Sequence, residues 1–202
     1  SKGYPTKAFD VDNKATVAFV EAFVAKYVEY FGSTGSAYFN IGADECGYDN
    51  FTEERYTKLA DMLKTIIGYM KPYKMTPFMF NDGLRTTNAL ADLLKDQGIV
   101  VCFWEMQTSK KYYTATQLDS MGFKVINTHN KWYYVAGNGY ATGYDWNNYA
   151  YHYDWALNNI KSNTTTDGGS CLYIDGESSN TQTMPVGCML AYWCDNPKAA
   201  YN

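Results

Sequence analysis

A chain of 202 residues, 46% of them hydrophobic, is long enough to close one sizeable core and too apolar to stay disordered. Its formal net charge of −4, without a run of either sign, argues against a nucleic-acid surface, and no apolar stretch approaches the roughly 20 residues needed to span a bilayer. Five cysteines with no C-x-x-C pair and two histidines argue against a zinc site, and most of the thiols read as buried, Cys102 and Cys188 inside apolar runs.

Ser1-Lys2-Gly3-Tyr4-Pro5 does not read as a signal peptide, so the chain is expected to be a mature protein or a piece of one. From 13 to 31 apolar residues recur at helical spacing, with Asp12 or Asn13 placed to cap the start and Gly32 past the end. A short strand over 37–41 runs into Gly42-Ala43-Asp44-Glu45. A helix is predicted over 52–70, with Glu53 and Glu54 in a first turn whose dipole suits them. A strand over 76–80, a helix over 87–96 closed by Gly98, and a buried strand over 99–104 follow. Next come a short helix over 116–121 closed by Gly122, a strand over 123–127, and an aromatic loop. A helix over 146–160 and a last strand over 186–193 complete the reading.

A helix followed by five strands with helices between them is the grammar of parallel βαβ units, and short continuous apolar strands are expected where both sheet faces are covered. An open doubly wound sheet and part of a closed barrel both fit. Polar and aromatic residues gather at five strand ends: Asp44 with Glu45, Asn81 with Asp82, Trp104 with Glu105, Asn127 with His129, and Trp193 with Asp195. A barrel brings all strand ends to one mouth, whereas an open sheet concentrates its ligand groups at one switch point. The expectation is therefore an α/β chain, residues 1–202, covering roughly strands 4 to 8 of a (β/α)8 TIM-type barrel.

Neighbouring carboxylates on a strand point to opposite faces, so Asp44 and Glu45 serve one ligand only if the chain breaks at Gly42-Ala43. Taken alone, the pair reads as a solvated turn; its place at a barrel strand end brings catalysis level with that reading. Aromatic residues make up 17% of the chain and are densest over 132–155 among Asn, Gly and Asp. Such a segment is a surface loop or a carbohydrate surface, where rings stack on the apolar face of a sugar and polar groups bond its hydroxyls.

Tyr38-Phe39-Asn40-Ile41-Gly42-Ala43-Asp44-Glu45 resembles the signature of glycoside hydrolase family 20, a strand ending in His-x-Gly-x-Asp-Glu. The resemblance continues, in the family's order, through Phe80-Asn81-Asp82-Gly83, Val101-Cys102-Phe103-Trp104, Val125-Ile126-Asn127-Thr128 with Trp132-Tyr133-Tyr134-Val135, and Met189-Leu190-Ala191-Tyr192-Trp193-Cys194-Asp195. Within the family the motifs are most similar to the surface-attached streptococcal β-N-acetylhexosaminidases.

This resemblance implies an exo-acting enzyme that removes terminal β-linked N-acetylhexosamine from glycans without cofactor or metal, using the substrate's 2-acetamido oxygen as nucleophile. Glu45 would be the general acid, protonated at the outset, and Asp44, ionised, would hold the acetamido N–H. Tyr133, with Tyr134 as the alternative, would donate to the acetamido oxygen. Trp104 and Trp193 would wall the sugar subsite, Asp195 would accept from outer hydroxyls, and Asn81 and Asp82 would line the pocket. The resemblance also implies an extracellular or cell-surface location and a partner in the N-terminal part of the same barrel. Two departures stand out: Asn40 replaces the signature histidine, and the first-strand arginine that grips the sugar has no counterpart here. The alternatives are a non-catalytic carbohydrate-binding remnant, an enzyme releasing a disaccharide such as lacto-N-biose, and a chitinase-like barrel hydrolase, whose Asp-x-Asp-x-Glu motif is missing.

Overall fold

Asn13 opens the first helix, α1 (Lys14–Ser33), by accepting the backbone N–H groups of Ala15 and Thr16, which the first turn leaves without intrahelical partners. The computed structural model describes residues 9–104, 112–128, 134–136, 186–189 and 191–193. After α1 come strand β1 (Tyr38–Asn40), a 3-10 turn (Tyr48–Asn50), helix α2 (Glu53–Met70) and strand β2 (Thr76–Phe80). Short helix α3 (Leu90–Leu94), β3 (Val100–Phe103), α4 (Ala115–Ser120) and β4 (Lys124–Asn127) continue the alternation. Thr52 caps α2 through the Arg55 N–H, and Glu53 and Glu54 fall in its first turn as the sequence predicts.

Strands β1, β2, β3 and β4 lie in that order in one sheet, so each new strand is laid beside the last after a helical crossover. β1 and β2 run parallel, Tyr38 opposite Thr76 and Asn40 opposite Phe78. The parallel α/β grammar read from the sequence is the one observed.

The chain divides into two compact units. The first comprises 1–101, 109–113 and 120–124, the second 102–108, 114–119 and 125–202. In the first, α2 buries Leu59, Leu63, Ile66, Ile67 and Met70, and α3 buries Leu90 and Leu94. Val28 of α1 packs with Met70 and Met75, and Phe39 and Ile41 close on that cluster. In the second unit, the segment 186–189 lies beside β4. The Val186 N–H donates to Val125 O at 2.8 Å, and the Met189 N–H donates to Asn127 O at 2.9 Å. There, too, β5 (Tyr134–Ala136) pairs in parallel with β6 (Ala191–Trp193), Tyr134 opposite Ala191 and Ala136 opposite Trp193.

Several expectations are corrected. The single strand read over 186–193 is two pieces, one bridging β4 at Asn127–Cys188 and the other pairing with β5, a strand hidden in tyrosine-rich sequence. The helix read over 87–96 starts later, because the Asn88 side chain accepts the Leu90 N–H and holds 85–89 in turns. β1 is not covered on both faces: Tyr38 and Asn40 are exposed while Phe39 between them is half-buried. Of the described thiols only Cys102 is buried, Cys46 being half-buried and Cys188 exposed. The helix read over 146–160 lies outside the described residues. No helix among the described residues is long and apolar enough to cross a membrane.

Candidate active site

The ladder between β1 and β2 outlasts the regular strands by two bonds, Ile41 N–H to Phe78 O at 2.8 Å and Phe80 N–H to Gly42 O at 3.0 Å. Between them the Asn40 side-chain oxygen accepts the Gly42 N–H at 2.8 Å and bends the chain out of extended geometry. Asparagine at the signature's histidine position therefore acts here as a turn former. The next residues are left-handed at four of six positions: Gly42 (φ 73°), Ala43 (φ 67°), Glu45 (φ 48°) and Gly47 (φ 68°). Strand alternation ends here, as the sequence requires if Asp44 and Glu45 are to act together, and both are exposed.

At the end of β2, Asn81 and Asp82 are almost fully buried, 1% and 6% exposed. The Glu45 N–H donates to Asp82 Oδ2 at 2.8 Å. The structure thus joins two of the pairs predicted from strand ends, through a peptide group of one and a carboxylate of the other. Burial of an acidic side chain asks for strong hydrogen-bond donors, and this amide is one.

Three residues that sequence reasoning missed build the floor of this loop. Tyr48 is buried, its hydroxyl donating to Ala43 O at 2.6 Å while its own carbonyl accepts from the Tyr56 hydroxyl at 2.8 Å. Buried Arg85 donates from Nε to Asp82 O at 2.9 Å and from Nη1 to Asp49 Oδ1 at 2.6 Å. Its guanidinium lies 5.4 Å from the centre of the Tyr48 ring and 5.0 Å from that of Tyr112. One arginine among scattered charges and two tyrosines among twenty gave no signal. Burial pushes the Tyr48 phenol well above its ordinary range, with Cys46, Asp82 and Asp44 adding to the effect. Burial likewise raises the Cys46 thiol, the charges of Asp44 and Asp82 adding while the Tyr48 hydrogen bond opposes.

Trp104 follows β3 and is half-buried. Tyr134 begins β5 and Trp193 ends β6, two positions apart in register. Tyr133 and Asp195 lie outside the described residues. No group of three His, Cys, Asp or Glu side chains suited to a metal occurs among the described residues. Beside the loop, a cavity of about 390 Å³ opens between α1, α2 and β1, lined by Val20, Phe23, Phe39, Ile41 and Met62, with Asp44 and Cys46 at its rim. Its walls are mostly hydrocarbon, with the polar side chains of Asn40 and Asp44 among them. It is a gap in the layer between helices and sheet, and its lining does not suit a sugar's hydroxyls.

Residues 1–198 match the family described as "Glycosyl hydrolase family 20, catalytic domain". Among solved structures, the chain is similar to a catalytic module of the pneumococcal exo-β-D-N-acetylglucosaminidase StrH. They share 24% identity over 96% of this chain and 47% of that one, with a TM-score of 0.71. A second StrH structure gives 24% identity over 96% of this chain and 46% of that one, with a TM-score of 0.70. Dispersin B matches at 19% identity over 91% of this chain and 53% of that one, with a TM-score of 0.64. The chain spans about half the length of these structures. At such identities they speak for the fold, a TIM-type barrel of which the βαβ units described above are a part. With residues 1–198 matched, the chain belongs to glycosyl hydrolase family 20 as part of its catalytic domain.

Proposed function

We propose that this chain carries the acid-bearing portion of an exo-β-N-acetylhexosaminidase, which removes terminal β-linked N-acetylglucosamine or N-acetylgalactosamine from glycans. The observation that carries this reading is the exposed Asp44–Glu45 pair, on a left-handed loop at the end of a barrel strand, in a chain of this family. Retaining glycosidases with an enzyme nucleophile hold two carboxylates about 5–5.5 Å apart, each reaching the anomeric centre from its own element. Adjacent carboxylates on one loop suit another division of labour. The acetamido oxygen attacks C1 as Glu45 protonates the departing oxygen; Asp44 meanwhile holds the acetamido N–H and offsets the charge of the oxazolinium. Water then attacks C1 and opens that ring, as Glu45, now a carboxylate, takes a proton from the water.

Tyr133, or Tyr134 beside it, supplies a hydroxyl to the acetamido oxygen. Trp104 and Trp193 wall the sugar, Asp195 accepts from its outer hydroxyls, and Asn81 and Asp82 stand at the foot of the pocket. Likeness to an enzyme named as an exo-β-D-N-acetylglucosaminidase supports N-acetylglucosamine as the sugar, and the streptococcal motifs support an extracellular or cell-surface location. β1 is the outermost strand of its sheet, with Tyr38 and Asn40 exposed, which supports an N-terminal part of the same barrel as its neighbour.

Release of p-nitrophenol from the β-N-acetylglucosaminide by the full-length protein tests this reading. Glu45→Gln is expected to lower kcat about 100-fold or more for a poor leaving group and less for the activated phenol, which needs little protonation. Equal losses on both substrates would remove Glu45 from the acid's role. Asp44→Asn is expected to cripple turnover of both, and retained activity would overturn its assignment.

A further inference from the structure

We propose that Asp82 and Tyr48 are positioning residues for the general acid, two ends of one buried clamp that holds the acid loop in its left-handed form. This rests on the assignment of Glu45 above. Left-handed backbone is unfavourable for L-residues, so Ala43 and Glu45 need something to hold them. Each is held by one hydrogen bond from a buried side chain. The Tyr48 hydroxyl donates to Ala43 O at 2.6 Å, and Asp82 Oδ2 accepts the Glu45 N–H at 2.8 Å.

The two grips come from different elements, Tyr48 from the turn after the loop and Asp82 from the end of β2. They are tied together underneath. Gly83, next to Asp82, is what lets the Tyr48 ring approach, since a Cβ there would stand 2.7 Å from Tyr48 Cζ. Arg85 spans both, its Nε on Asp82 O at 2.9 Å and its guanidinium 5.4 Å from the centre of the Tyr48 ring. Asp82 grips the acid residue itself, at its backbone N–H, whereas Tyr48 grips the loop two residues earlier.

Released from Asp82, Glu45 relaxes toward right-handed φ and its carboxyl swings away from the glycosidic oxygen. A misplacement of about 1 Å at a reacting group costs on the order of 100-fold in rate. The loss falls on proton transfer, so it shows in kcat for a poor leaving group more than in KM or with an activated phenol.

The experiment uses the full-length protein with Asp82→Ala, Asp82→Asn and Tyr48→Phe. It measures kcat and KM on p-nitrophenyl N-acetyl-β-glucosaminide and on chitobiose, and amide exchange over 43–47 by mass spectrometry. Asp82→Ala is expected to lower kcat on chitobiose by about 100-fold, and on the aryl substrate by much less. KM should stay near wild type, and exchange over 43–47 should quicken. Asp82→Asn keeps an acceptor and should recover part of the loss, and Tyr48→Phe should show the same pattern more weakly. Unchanged exchange over 43–47, or losses equal on both substrates, would overturn the clamp. If wild type turns over neither substrate, the assignment of Glu45 fails instead, and exchange over 43–47 still decides whether Asp82 and Tyr48 hold the loop.

Discussion

An alanine methyl at position 83 would meet Tyr48 Cζ at 2.7 Å and its Oη at 2.9 Å, and the ring it meets is fixed by hydrogen bonds at both its hydroxyl and its backbone carbonyl. Gly83→Ala is therefore expected to destabilise by about 1–3 kcal/mol, the usual cost of overpacking, seen as a lower urea midpoint at unchanged slope. A second residue-scale prediction concerns thiols. Only the thiolate reacts with iodoacetamide, and burial raises Cys46 and pushes Cys102 up to about 12. At neutral pH exposed Cys188 should label well before either, as peptide mapping after brief alkylation would read; early labelling of Cys46 would contradict its burial. Asp44 and Glu45 were legible in the sequence because a strand, a glycine and two acids occupy consecutive positions. Asp82 was legible as a strand-end residue, but its bond to Glu45 was not, since the partners are 37 positions apart and only the parallel register of β1 on β2 brings them together. Tyr48 and Arg85 carried no local pattern at all.

Between elements, the clearest electrostatic tie joins the residue ahead of α1 to the first turns of α2. Asp12 accepts from Arg55 Nε at 2.7 Å and Lys58 Nζ at 2.8 Å, and Lys58 also reaches Glu54 at 2.8 Å. The Lys58 hydrogen bond, then that of Arg55, lowers the Asp12 carboxyl from the ordinary 3.8 to about 2. A carboxyl depressed in the folded state binds its proton more readily when unfolded. Its contribution is thus whole above about pH 3.8 and is lost as pH falls through about 2. Asp12→Asn should therefore flatten the fall in stability across that window, as melting temperature against pH would record, and added salt should shrink the difference. Caps are the other lever at this scale: Asn13→Ala and Thr52→Ala should each cost about 1 kcal/mol. Both helices were legible, α1 with its N-cap, because their apolar period runs for five turns, although α1 runs past Gly32, expected beyond its end, to Ser33. β5 was not, because three residues in a tyrosine-rich stretch have no period to show. The split of 186–193 was hidden for the opposite reason, since one apolar run serves two different strand partners.

At the scale of the whole molecule, α1 carries an exposed column of rings. Phe19 stacks on Phe23 at 5.8 Å, Tyr27 lies tilted against Phe23 at 4.8 Å, and Tyr27 stacks on Phe31 at 6.3 Å between centroids. Exposed rings in this number on one helix exceed the scattered singletons of an ordinary surface. Residues 1–202 expressed alone are accordingly expected to bind a hydrophobic dye and to lack turnover until the N-terminal βα units of the barrel are supplied; full activity of the isolated piece would refute this. The division into two units has an optical consequence. All five tryptophans, at 104, 132, 146, 155 and 193, belong to the second unit, so the first, which bears the acid loop, contains no indole. Emission excited at the red edge of the protein band therefore reports one unit alone, while tyrosine absorbance and helical dichroism draw on α1 and α2. Coincident melting curves from the two signals would mark a single cooperative transition, and separated ones would assign each midpoint to its own unit without any label being attached.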